Sequence, residues 1–436
     1  MHTYEYNIVP VGRHINNGVC LSEEQASKLE QINLELKKKK IIGKSFYRWV
    51  GKDSLKFMNY AGIVSLGSEQ LEILPKIFKQ KNENSSDYEK SFIAFARMIS
   101  YIFKTKTFDE DLIKIRQTDR LGILDMIIFF YVSSLKAALK NGIYNQYEHE
   151  IFDSRFIRGK VCFDKQLNRP PGSTFLQESY LFTSDNDLMK YLKTATLYFA
   201  KVSRSYLLRL QLRRLSSFFS DTDTLDLSKL GKKIFKFNRL NRAYEDAYNL
   251  SKLILSGLLI QPNAEKSLFG VVFLLDMNKV FEDFIAVFIE RNWNILSRQT
   301  SLTKVIKQNS GKHLFIDRNI VPLIPDIRLL NTSNVTEIIF DTKYKIRPEF
   351  ENAMNDVSKV SNEDLYQMYA YSTKYNAKET VLIYPSLSNT SEPDTLKFEE
   401  KKIFRIWDIN LSLWEDHWES HLKERFTELM LNMANI

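Results

Sequence analysis

Two aspartates and a lysine carry the sharpest chemical signal in this chain. Ile324-Pro325-Asp326 is followed, fifteen residues after the first aspartate, by the second in Phe340-Asp341-Thr342-Lys343. Alternate side chains of a strand share a face, so Asp341 and Lys343 are predicted to project together, with Phe340 and Thr342 towards the opposite layer. A hairpin would bring Asp326 alongside Asp341. Two carboxylates aimed at one spot repel unless a cation lies between them. Mg²⁺ suits that place, since it favours a few carboxylates plus waters and phosphate oxygens, and Mn²⁺ is an expected substitute. A lysine at the edge of the site can orient or deprotonate a water and stabilise charge on a phosphate. The set Asp326, Asp341 and Lys343 is therefore suited to hydrolysing a phosphodiester. The plain alternative is two solvated charges on an edge strand. The apolar run Ile338-Ile339-Phe340 weighs against it, because an aspartate at the end of a buried strand needs a reason.

Further residues can join this set. Glu282 lies beside the apolar stripe Met277, Phe281, Phe284 and Phe288 of a predicted helix, from which it can reach a metal at the helix–sheet boundary. The same residue reads equally as a surface glutamate next to Asp283. Gln367 and Tyr371 stand four apart in a helical segment and share a face. They can hydrogen-bond a DNA phosphate or a catalytic carboxylate, or simply be a surface Gln and a packed Tyr. Lys345 is a candidate for DNA contact or site support.

The elements that must hold these residues follow from pattern. From about residue 265 the order is helix (Phe269 to Trp293), strands (Phe315 to Leu330, Val335 to Ile346) joined through Asn331-Thr332-Ser333-Asn334, helix (Glu363 to Tyr375), and a buried strand ended by Pro385. That order predicts an α/β domain over 265–436. Residues 1–80 read as a β-containing region, with strands at Ile41 to Val50 and Tyr60 to Leu74 and a polar helix from Glu23 to Lys40. Lys79 to Glu89 is polar and marks a boundary. Residues 81–264 read as mainly helical, with helices at Phe92 to Phe103, Ile123 to Ile143, Leu188 to Leu215 and Leu240 to Leu259, and an irregular stretch from 145 to 180. The predicted fold class is thus α/β multidomain.

Composition narrows the classes. The 436 residues are 44% hydrophobic and 26% charged, as in ordinary globular proteins, and 14 Gly with 10 Pro argue against long linkers. A net charge of +9 leans towards a polyanionic partner. Cys20 and Cys162 form no CxxC pair, so neither a zinc site nor a disulfide framework is expected. The start of the chain has no basic and apolar leader, and no apolar run is long enough to span a bilayer, so a cytoplasmic protein with no membrane partner is expected.

Taken together, Pro325-Asp326, Asp341-Thr342-Lys343 and Gln367-x-x-x-Tyr371 resemble the PD-(D/E)xK nuclease superfamily, in its branch with a Gln-x-x-x-Tyr helix. More closely, the chain resembles the McrC family, the nuclease subunits of McrBC-type modification-dependent restriction systems. The resemblance rests on Leu71-Glu72-Ile73-Leu74-Pro75-Lys76-Ile77, Gly122-Ile123-Leu124-Asp125, Phe156-Ile157-Arg158-Gly159-Lys160, Leu275-Asp276-Met277-Asn278-Lys279-Val280-Phe281-Glu282, Asp341-Thr342-Lys343-Tyr344-Lys345 and Asp364-Leu365-Tyr366-Gln367-Met368. It runs from about residue 60 to 385. It implies a PD-(D/E)xK-like nuclease domain, Mg²⁺-dependent DNA cleavage, and a hexameric McrB-like AAA+ GTPase partner that the N-terminal part docks and stimulates. No Gly-x-x-x-x-Gly-Lys-(Ser/Thr) loop occurs, so a motor must be another chain. Two other readings compete: a non-catalytic adaptor that activates the GTPase, and a stand-alone DNA repair nuclease.

Overall fold

The computed structural model describes residues 1–12, 19–67, 69–76, 85–103, 121–169, 172, 174–230, 233–258, 272–308, 311–315, 317–318, 320–345, 360–386, 393–399 and 402–434. The protein is mixed α/β and divides into two compact units. One joins Met1–Lys104 to Leu274–Ile436, and the other is Thr105–Phe273. Most of the segments 1–80 and 265–436 therefore fold into one unit. The polar stretch at 79–89 does not divide the units, because the helix Ser85–Ile102 starts inside it.

The first unit opens with β1 (His2–Tyr4), β2 (Ile8–Pro10), the helix Glu23–Lys38, β3 (Tyr47–Trp49), β4 (Ser54–Phe57), β5 (Tyr60–Leu66) and β6 (Glu69–Leu74). β5 is buried along its whole length and pairs antiparallel with β6, which pairs parallel with β1. β2, β4 and β3 form a separate antiparallel sheet. Only the end of the predicted 41–50 strand is strand. The helix begins at a capping box in which Ser22 and Gln25 satisfy each other's backbone N–H groups. It buries Ala26, Leu29, Asn33 and Leu36, so one face belongs to the core.

The second unit contains the helices Ile123–Leu139, Asp187–Val202, Tyr206–Ser216 and Glu245–Leu258. The predicted 188–215 helix is two, the second restarted at Ser205, whose side chain accepts from the Leu208 N–H. The stretch read as irregular is a long hairpin: β7 (Gln146–Ser154) pairs over its full length with β9 (Phe175–Thr183), and β8 (Lys160–Val161) joins the other edge. Tyr147, Phe156, Tyr180 and Phe182 are exposed on it. With aromatics facing solvent, the in/out alternation that marks a half-buried strand is missing from the sequence.

Back in the first unit, the described part of the predicted 269–293 helix is β10 (Val272–Asp276) followed by the helix Met277–Arg291. Short apolar runs such as Val272-Phe273-Leu274-Leu275 do not distinguish strand from helix. Asp276 decides the change, because its Oδ1 caps the helix by accepting from the Asn278 N–H at 3.0 Å. There follow β11 (Leu302–Lys307), β12 (Lys312–His313), β13 (Pro322–Leu323), β14 (Ile327–Asn331), β15 (Thr336–Thr342), β16 (Glu379–Ser386), β17 (Asp394–Glu399) and β18 (Lys402–Asn410).

The main sheet has the order β11-β14-β15-β16-β18-β17. β14 and β15 form the antiparallel hairpin, turned through Asn331 and through Asn334 at φ 59. β15, β16 and β18 run parallel, and the helix Asn362–Tyr375 lies between β15 and β16 in the chain. That helix is capped by Ser361 at its start and by left-handed Asn376 at its end. It buries Met368, Tyr371 and Tyr375 against Ile339, Leu382, Phe404 and Ile406. The opposite face packs Phe340 and Trp407 on Phe426 of the helix Trp418–Ala434, with Phe288 of the 277–291 helix beside it. Each such side chain contributes roughly 1.5–3 kcal/mol on burial.

Candidate active site

The hairpin register places Ile327 opposite Phe340, so the next pair outward is Asp326 and Asp341. Asp326 is not in a strand. It sits on the bend just before β14, after Ile324 and Pro325. The Lys343 N–H donates to Ile383 of β16, so the Thr342 N–H points the other way, to the side where β14 has ended. The carboxylate of Asp326 takes the place of the missing rung: Oδ2 accepts from Thr342 N at 2.7 Å and from Thr342 Oγ1 at 2.8 Å. Strict alternation predicts Thr342 on the opposite layer, but at the strand end its hydroxyl turns to Asp326.

Asp341 is 2% exposed. Lys343 Nζ lies 2.7 Å from its Oδ2. This is an ion-pair contact without good hydrogen-bond direction, and the buried oxygen has no other partner. Burial, and then the neighbouring charge of Asp326, push the Asp341 carboxyl up to about 7. Asp326 is likewise pushed up to about 7 by burial and by Glu282. Glu282 thus belongs to the cluster. Gln308 links it to the same loop, donating from its side chain to Glu282 and from its backbone N–H to the Asp326 carbonyl at 3.0 Å.

Lys343 is held from three sides. Gln367 Oε1 accepts from its Nζ at 2.9 Å, Asp341 pairs with it, and Asp364 Oδ1 stands 3.7 Å away. Burial opposes its charge, but the surrounding aspartates outweigh burial and raise its pKa, so it is an ammonium. Gln367 Nε2 donates to the Tyr371 hydroxyl at 2.8 Å, which donates to the Ile324 carbonyl at 3.0 Å. Gln367 and Tyr371 therefore touch the lysine and the Asp326 loop, not a carboxylate. Lys345 pairs with Asp364 Oδ2 at 3.4 Å and stays largely exposed.

Three contributors were not picked out from the sequence as site residues: Thr342, Gln308 and Asp364. Asp364 had a legible signal, since it precedes Gln367 by three and Tyr371 by seven on one helical face. Residues before 60 also enter. Glu5 Oε2 accepts from the Tyr344 hydroxyl at 2.9 Å and from the Lys76 N–H at 3.1 Å, which ties β1 to the residue after Lys343.

Four acids and two lysines meet here, an excess of negative charge. Among the described residues no three His, Cys, Asp or Glu side chains stand as a ready-made metal shell. Mg²⁺ does not need one, since it is held through one or two carboxylates and keeps its waters. Hard oxygen donors and two buried acids whose carboxyl groups burial and neighbouring negative charge push up fit such an ion. Asp326 and Asp341 would hold it, with Glu282 beside them.

A six-stranded sheet with helices on both faces and an acid–lysine pocket at the end of a central strand defines a mixed α/β protein with a buried polar site. Residues 55–385 match the family described as McrBC 5-methylcytosine restriction system component, and the chain belongs to that family. Its fold is shared with a chain of the refined half-complex from a tetradecameric assembly of Thermococcus gammatolerans McrB AAA+ hexamers with bound McrC. The two are 20% identical with a TM-score of 0.68, over 98% of this chain and 99% of the other. A chain of the Thermococcus gammatolerans McrBC complex is 22% identical with a TM-score of 0.51, over 67% of this chain and 88% of that one. No curated protein matches the sequence. Among the described residues no helix is long and apolar enough to cross a membrane.

Proposed function

We propose that this chain is the DNA-cutting subunit of a McrBC-type restriction complex, a Mg²⁺-dependent endonuclease of the PD-(D/E)xK type that works with a McrB-like AAA+ GTPase. The observation that carries the reading is the convergence of Asp326, Asp341 and Lys343 at one strand end, with both acids pushed up to about 7. Bound Mg²⁺, or Mn²⁺ in its place, would supply Lewis-acid polarisation of the phosphate and of the attacking water. Asp341 and Asp326 fix the hard donors, Asp326 through the Thr342 rung. Lys343, kept cationic by Asp341 and Asp364, holds the water and stabilises charge growing on the phosphate oxygens. Gln367 and Tyr371 keep that ammonium and the Asp326 loop in register. Family membership supports the restriction role, and the fold shared with chains of McrB–McrC assemblies supports the partner.

The contact with the AAA+ partner we place on the β7–β9 hairpin. Of the first strands, Tyr4, Val9, Leu55 and Ile63 are buried and Ile8 and Trp49 are exposed, whereas the hairpin presents Tyr147 and Phe182, with ring centroids 5.0 Å apart, and Tyr180 to solvent. An aromatic patch of that kind marks a protein contact.

Asp341→Asn tests the catalytic reading. With partner, GTP and modified DNA, cleavage is expected to fall on the order of 1,000-fold, with GTPase stimulation retained. Full cleavage by this variant would leave only the adaptor role.

A further inference from the structure

Arg328 of β14 stands opposite Ile339, two residues before Asp341 on β15, and so shares the sheet face that carries the site. It is 9% exposed, and its Nε is buried without a hydrogen-bond partner. Such a guanidinium ordinarily pairs with a carboxylate; here no ion pair to it occurs among the described residues. It stacks instead on the Tyr375 ring, 4.7 Å from the centroid. Lys312 lies over the same ring at 5.3 Å and donates to the Lys374 carbonyl at 2.6 Å. Two cations thus share one aromatic ring, and among the described residues neither has an ion pair. Gly311 stands over the guanidinium: a Cβ there would sit 3.7 and 3.8 Å from Nη2 and Nη1.

The basic pair is joined to the acidic pocket by one helix. Gln367, Tyr371 and Tyr375 recur every fourth residue. The first touches Lys343, the second holds the Ile324 carbonyl, and the third holds the Leu323 carbonyl and carries Arg328. The row spans about 12 Å of helix. At one end two carboxylates call for a cation; at the other, two cations call for an anion. A polyanionic strand with one phosphate at the acidic pocket would pass the basic pair with another.

We propose that Arg328 and Lys312 bind one backbone phosphate of the DNA strand, further along the strand than the neighbour of the phosphate being cut. The inference rests on the nuclease reading above and gives that site its DNA track. Arg328 supplies the planar fork that pairs with two phosphate oxygens, and Lys312 adds a point charge.

The test is the salt dependence of DNA binding by the full chain, with a chelator present so that nothing is cut. A short fluorescent duplex is titrated at several KCl concentrations. Removing one cation that neutralises a phosphate lowers the slope of log affinity against log salt by about 1. Arg328→Met keeps the stacked stem and removes the charge; Lys312→Met does the same at an exposed position. Each is expected to reduce the slope, and the double variant, which leaves that one phosphate without its cations, to reduce it by about 1. Wild-type slope and affinity in both single variants would overturn the proposal, and if Arg328→Met does not fold, the Lys312→Met result decides alone. The two readings fail separately. Reduced slopes in a chain that never cuts DNA with its partner would sink the nuclease and keep the phosphate contact. Normal slopes in a chain that cuts would do the reverse.

Discussion

The pocket at the end of β15 and the β7–β9 hairpin depart from the ordinary burial rule in opposite directions. In the first unit, Asp341 and Asp364 are buried polar groups and Lys343 is largely enclosed, next to the buried Ile327, Ile339 and Phe340 of β14 and β15. In the second unit, Tyr147, Phe156, Tyr180 and Phe182 lie in solvent on a fully paired hairpin. Buried charge costs free energy unless it is paired, and exposed aromatic area costs free energy unless it is covered. On the proposed function each region is completed by something outside the chain: a cation and a phosphate in one case, an apolar protein surface in the other. The hairpin is also built to hold its shape without a core beneath it. Gln177, buried near its far end, accepts from the Arg158 and Gly159 N–H groups and donates to the Phe156 carbonyl, so the turn carrying Phe156 is fixed by one side chain.

If the two regions have these separate tasks, damage to one leaves the other's task intact. After Asp341→Asn, the largest effect is expected at the hairpin. Replacing Tyr147, Tyr180 and Phe182 together by serine removes aromatic anchors of the kind that dominate interfaces. Co-elution with the AAA+ partner and stimulation of its GTPase are expected to fall at least about 100-fold. Thermal stabilisation of the chain by Mg²⁺ should be unchanged. A triple variant that still stimulates the GTPase would move the contact elsewhere.

A smaller loss is expected within the pocket. Gln367→Ala frees Lys343 and Tyr371 at once and should lower cleavage about 10–100-fold, with the partner's GTPase stimulated as before. Tyr371→Phe keeps Gln367 on the lysine but releases the Ile324 carbonyl, so it should fall between that variant and the wild type. If Tyr371→Phe loses more than Gln367→Ala, the loop at Asp326, rather than the lysine, is what the helix positions.

The smallest effect is a pH dependence of stability. Asp326 and Asp341 hold a proton up to about pH 7 in the fold, against 3.8 for an ordinary aspartate. Between those values the folded chain binds more protons than the unfolded one, so these groups make stability fall as pH rises from about 4 to 7. Asp341→Asn lacks part of that penalty. Its melting temperature relative to the metal-free wild type should rise by a few degrees between pH 5 and pH 8. Mg²⁺ should stabilise the wild type more at pH 8 than at pH 5. A difference that stays flat with pH would mean that burial and neighbouring charge do not hold the two acids protonated in the metal-free protein.

The meeting of Asp326, Asp341 and Lys343 was legible in the sequence because local rules govern it. The period of two within β15 puts Asp341 and Lys343 together, and a four-residue turn brings β14 back alongside. The i,i+4 spacing that puts Gln367 and Tyr371 on one face is equally local. What those two residues touch is not. Lys343 and the Ile324 carbonyl reach them only because β15 and β16 pair in parallel and the helix between them packs on one face of the sheet.

The hairpin escaped for the converse reason. Its strands pair residues as far apart as Gln146 and Thr183, and with aromatics on the solvent side no hydrophobic period marks them. The polar groups around the pocket, too, come from distant parts of the chain: Asp364 from the helix, Gln308 from just after β11, and Glu5, which holds Tyr344, from just after β1. The sequence alone therefore determined which groups could do chemistry and which neighbours within a turn or a strand they would share. Tertiary structure decided their protonation, their partners and the surfaces left uncovered, because burial and long-range pairing are properties of the packed chain and are written in no local spacing.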